Sequence, residues 1–194
     1  ARSSGAKHPV IDFLFTYYSF APAKLKQWMP NLNTSMADVT DADRLRWPWL
    51  GTERFCHADG CCSLDRQKLD DRARSTARWI AELCGNILSR PSRFRCFGLH
   101  EWAMVYRIPE ARHRQLALRM PPAELAAFVE SQTVVCSHYD AFRFFTPAAR
   151  PLNRLQPELA TRMELEQCGC LHANMDLFKW AIRFYPWLGS DLVA

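Results

Sequence analysis

Four of the six histidines in this chain stand beside a carboxylate in a recurring pattern. It reads His8-Pro-Val-Ile-Asp12, His100-Glu101, His138-Tyr-Asp140 and His172-Ala-Asn-Met-Asp176, each copy leading into an aromatic-rich stretch. Imidazoles and carboxylates are costly to bury unless they are paired or bound to something. Together they are also a donor set for iron, manganese, zinc or cobalt. The i, i+4 spacing of His8/Asp12 and His172/Asp176 puts both groups of each pair on one helical face. The expected metal ligands are therefore His8, Asp12, His100, His138, His172 and Asp176. Glu101 and Asp140 are the expected catalytic carboxylates, with weaker cases. Glu101 directly follows its histidine and should point to another side. Ser137-His-Tyr-Asp140 reads as a capping box, which gives Asp140 a structural task.

A transition metal is the expected cofactor, iron first and manganese or zinc next. An open coordination position would take substrate, water or oxygen. The reading is a redox reaction on a small substrate at a non-haem iron centre, with metal-assisted hydrolysis close behind. Cations recur as well: Arg107 and Lys179 follow His100 and His172 by seven residues, and Arg143 follows His138 by five. Seven residues are about two helical turns, so these cations are candidate clamps for a substrate anion. The competing explanation is a cation at a helix C-terminus. In the plainest alternative the histidine–acid pairs only cap helices, and the chain is a non-enzymatic helical binding protein.

Cysteine adds a second signal. Cys96, Cys136 and Cys170 each precede a signature histidine by two or four residues, while Cys56, Cys61 and Cys62 cluster around His57. The 56–62 spacing fits no standard zinc pattern. At 194 residues and 48% hydrophobic, the chain has no need of a disulfide framework. The eight cysteines are expected as mostly free thiols in a reducing compartment, the cytoplasm.

The elements that must position these groups are read from apolar periodicity and proline breaks. Helices are expected over 9–20, 22–29, 66–89, 99–107, 122–132, 138–146, 158–167 and 172–185, with a short extended piece at 132–136. Residues 31–62 read as a long irregular insertion, although Asp59-Gly60 is a hairpin-type dipeptide. The expectation is a mainly α, bundle-like single domain over 1–194. The start without Met and the end without a helix stop read as trimmed termini. Pro9, Gly98 and Gly169 place the histidines in first helical turns, so a site should lie where several helix starts meet.

The net charge is +5, and residues 90–119 hold seven Arg against two Glu, an excess as large as that of the whole chain. Such a patch suits phosphate or nucleic acid. No apolar run approaches the roughly 20 residues of a membrane span, so no membrane partner is expected.

Four segments resemble a bacterial protein family labelled 3-methyladenine DNA glycosylase. They are 7–21 (KHPVIDFLFTYYSFA), 96–107 (CFGLHEWAMVYR), 136–153 (CSHYDAFRFFTPAARPLN) and 165–181 (LEQCGCLHANMDLFKWA). The four segments make up about a third of the chain, reach from its first part to its last, and leave out 31–65. It implies a base-excision enzyme in which a flipped base enters an aromatic pocket and a carboxylate assists water. Asp176, Asp12 and Glu101 are the candidates for that carboxylate, and the 90–119 arginines would hold DNA phosphates.

Overall fold

The structure, a computed structural model, describes residues 20–96, 98–108 and 118–193. His8, Asp12 and nearly all of the expected first helix lie outside them. The elements are α1 (Pro22–Leu25), β1 (Ser35–Ala37), α2 (Asp41–Arg46), β2 (Phe55–Ala58), β3 (Cys61–Leu64), α3 (Asp71–Ser89), α4 (Leu99–Ala103), α5 (Pro122–Ser131), α6 (Tyr139–Phe142), α7 (Arg162–Leu165) and α8 (Leu171–Arg183). Short 3-10 turns occupy Pro48–Gly51, Arg66–Lys68 and Arg150–Leu152. The chain forms two compact units, one from 81–176 and one from 16–80 with 177–194, as far as each is described.

The expected mainly α class is corrected to mixed α and β. A three-stranded antiparallel sheet, in the order β1-β3-β2, lies largely within the segment read as irregular. Asp59 (φ 50°) and Gly60 (φ 74°) join β2 to β3. Positive φ at both positions of a two-residue loop matches the right-handed twist of the strands. Phe55 pairs with Leu64 and His57 with Cys62. Phe55, Cys62 and Leu64 thereby share one face and pack with Met29 and Leu50 as the core of that unit. Cys56 lies on the opposite face, against Ser63, so the hairpin splits the thiols of 56–62 instead of gathering them.

The other unit holds the signature histidines of the described residues. Its core joins Leu125 and Val129, four apart on α5, to Tyr106, Val134, Phe142 and Phe145. Burying each such side chain contributes roughly 1.5–3 kcal/mol. Several helices are shorter than apolar spacing predicts. The 99–107 helix gives way to turns after Ala103, and Arg107 takes a φ of 50°. The 138–146 helix is cut to four residues, and the Thr146 N–H bonds the Ala103 carbonyl instead of its own helix. Among the described residues, no helix is long and apolar enough to cross a membrane.

Candidate functional site

Three signature histidines come together. The His172 ring lies 4.4 Å from that of His100 and 5.4 Å from that of His138, so it stands between the other two. Each sits at a helix start. Gly98, at φ 76°, turns the chain into α4 and sets His100 in its first turn. His138 is itself the N-cap of α6, and His172 is the second residue of α8.

Side-chain clamps hold the segments that lead into these turns. Buried Asn153 accepts from the Cys136 N–H (2.7 Å) and donates to the Cys136 carbonyl (2.8 Å), fixing the segment before His138. Gln167 accepts from the N–H groups of Arg93 and Gly169 and donates back to the Arg93 carbonyl. Gly169 is needed at this approach, because a Cβ there would stand 2.9 Å from the Arg93 nitrogen.

The histidines and acids sort into two groups. The inner group is His138, Glu166 and Asp176, which are 1%, 0% and 3% exposed. His138 Nδ1 accepts the Ala141 N–H at 3.2 Å, so the ring proton is on Nε2, which donates to Asp176 Oδ2 at 3.1 Å. Arg162 ties the group together, donating to Glu166 at 2.6 and 3.2 Å and to Asp176 at 2.8 Å. Burial opposes the charge on Arg162, but these carboxylates outweigh it and raise its pKa above the ordinary value. Arg90 braces the turn by donating to the carbonyls of Met163 and Glu166.

The outer group is His100, Glu101 and His172. His100 Nε2 donates to Glu101 Oε1 at 3.1 Å, and His100 Nδ1 lies 3.1 Å from the Cys96 sulfur. Burial opposes charge on His100, but the hydrogen bonds and charges of Cys96 and Glu101 outweigh it and lift its pKa to about 9. The Cys136 thiol, with His100, stabilises the Cys96 thiolate against its burial and brings that pKa down to about 4. Its bond to Cys96 and its own burial hold Cys136 as the thiol. Burial, reinforced by His100 and His138, pushes the His172 pKa down and leaves a neutral imidazole. His100 and His172 open onto a cavity of about 1030 Å³, lined also by Cys96, Cys136 and Cys170.

Each group brings three ligand atoms within 4.8 Å of one another. They differ in what those atoms are already doing. His138 spends both ring nitrogens, and Arg162 occupies both inner carboxylates. In the outer group His100 also uses both ring nitrogens, on Cys96 and Glu101, but among the described residues no arginine bonds Glu101, and His100 and His172 line the cavity.

The chain matches no protein-family model, no curated protein and no solved structure.

The pairs themselves were reshuffled. Asp176 pairs with His138 and Arg162 rather than with His172 on its own helix. Asp140 pairs with Arg143 at 3.2 Å, and the cap expected of Ser137 and Asp140 is made by His138. Glu101, expected to point away, is bonded to its own histidine. Of the expected anion clamps, Arg107 donates to Glu130 at 2.7 Å, Arg143 packs on Phe144, and Lys179 falls in the other unit. Sequence reading missed Arg162 and Glu166, although their i, i+4 spacing is the usual mark of a helical ion pair. The Cys-before-His spacing did point to Cys96 and Cys136.

Proposed function

We propose that the protein is a metal-dependent enzyme acting on a small molecule, with His100, His172 and Glu101 as the ligands. The observation that carries this reading is the meeting of two imidazoles and one carboxylate, with both imidazoles lining a cavity. Two histidines and a carboxylate with open positions are the donor set of non-haem iron(II) sites, which makes iron the favoured metal and redox chemistry the favoured reaction. When bound, the metal would supply Lewis acidity or electron transfer. The chain's own residues do the rest. Glu101 orients the His100 ring, and His172 presents a neutral nitrogen. The inner network holds the His138 turn beside His172 by its bonds to Asp176, on the helix that carries His172. A reducing, cytoplasmic setting belongs to the same proposal and is supported by eight free cysteines.

Cobalt(II) titration of the full chain tests the ligand assignment, read by visible absorption and thermal melting. Saturable binding with a rise in melting temperature is expected, because a ligand of the folded state stabilises by mass action. His172→Ala should weaken that binding on the order of 100-fold or more, beyond the loss seen for groups that only orient ligands. Absent binding, or equal binding by the variant, would remove the reading.

One observation favours a second reading. Cys96, His100 and Glu101 form a thiolate–imidazole–carboxylate chain with 3.1 Å links, the geometry of an activated cysteine nucleophile. In metal-free protein, limited iodoacetamide treatment followed by peptide mapping should then mark Cys96 first. Of the carboxylates considered for base excision, Asp176 is buried and bonded to His138 and Arg162 and does not line the cavity.

A further inference from the structure

The cavity that receives His100 and His172 also receives three arginines, Arg93, Arg95 and Arg154. None of its lining residues is Asp or Glu, and among the described residues no carboxylate pairs with any of the three. The contrast with neighbouring arginines is direct. Arg90 is spent on backbone carbonyls, Arg107 on Glu130 and Arg162 on Glu166 and Asp176. Position is enforced as well as charge. Gln167 clamps the backbone of Arg93 through both its N–H and its carbonyl. The Arg154 N–H bonds the Val134 carbonyl, next to the buried Asn153 clamp. The lining also includes the apolar residues Phe94, Val135, Leu155 and Leu171.

We propose that this cavity selects a small substrate with an anionic group, a carboxylate or phosphate, on an apolar body of about aromatic size. The inference rests on the metal-centre reading for what happens to that substrate, but not for its binding. Like charges held around a concave wall focus the field and raise the local concentration of an anion. A planar guanidinium meets a carboxylate or phosphate in two parallel hydrogen bonds. The cavity volume is near the upper end of small-molecule sites, which run to about 1,000 Å³. The apolar lining residues argue against a surface that reads only a phosphate backbone.

The test uses the full chain without added metal and the probes 1-naphthoate, 1-naphthyl phosphate and neutral 1-naphthamide, with binding read by fluorescence. One or both anions should bind at least about tenfold tighter than the amide, a difference of roughly 1.4 kcal/mol. The double variant Arg93→Gln/Arg154→Gln should abolish that preference. Both side chains are exposed, so its melting temperature should stay near that of the parent. Added salt should weaken anion binding in the parent as a second check. Equal binding of amide and anions, no effect of the double variant, or displacement of the probe by duplex DNA would each overturn the proposal. The two readings separate by their readouts: the anion preference of metal-free protein tests this proposal, and cobalt(II) binding tests the metal centre.

Discussion

Two clusters of histidines and carboxylates meet where the His138 and His172 rings lie 5.4 Å apart, and they differ in their neighbours. The inner cluster contains Arg162; the outer cluster faces a cavity. With Arg162 present, Glu166 and Asp176 are occupied acceptors, and His138, whose other nitrogen caps α6, donates its proton to Asp176. In the outer cluster burial and two histidine neighbours lower the His172 pKa and favour its neutral ring, with one nitrogen unprotonated. The lesson is that histidine and carboxylate types do not define a metal site. An arginine that holds the acids, or a cavity beside the imidazoles, is what separates a brace from a candidate ligand set.

The strongest way to break the comparison is to remove that cation. Arg162→Met leaves two buried carboxylates without their partner and should destabilise the fold by about 3–5 kcal/mol. Urea unfolding would report it, and a loss under about 1 kcal/mol would mean the inner cluster is not the brace described here. Next in size is Asp176→Asn, which removes the charged acceptor of His138 and Arg162. It should cost about 1–3 kcal/mol while leaving the outer ligands in place. Unchanged stability, or lost metal binding in a fully folded variant, would contradict that division.

The smallest effect sharpens the outer cluster through pH. His100 is raised to about 9, so at neutral pH a metal must displace its proton. Apparent affinity should therefore rise as pH rises, by about tenfold per unit, and level off above about pH 9. Cobalt(II) titrations at about pH 6, 7 and 8 would show this, and a flat profile would mean that His100 is not a ligand.

Much of the outer site was legible in the chain. The repetition of histidine at helix starts pointed to convergence, and Cys96 and Cys136 were marked by their spacing to His100 and His138. The pairing was not legible, because it crosses segments. The i, i+4 rule describes one helix, but Asp176 found its partners on α6 and α7. The position of Glu101 was misread for a similar reason: spacing ignores how far a flexible glutamate can fold back to an adjacent ring in the first turn. Helix lengths over 99–107 and 138–146 were overestimated, since a tertiary bond between Thr146 and Ala103 ends what apolar spacing would continue. The strands are three or four residues each, too short for an alternating pattern to stand out, and Asp59-Gly60 was their one clear trace.

The central claim is that the outer cluster holds a metal and the inner one does not. Elemental analysis of protein loaded anaerobically with iron(II) and then desalted tests it most directly, comparing the parent with Glu101→Gln, His172→Ala and Asp176→Asn. The account predicts about one ion per chain in the parent and in folded Asp176→Asn, with most of it lost from Glu101→Gln and His172→Ala. Iron retained equally in all four, or lost only from Asp176→Asn, would contradict it.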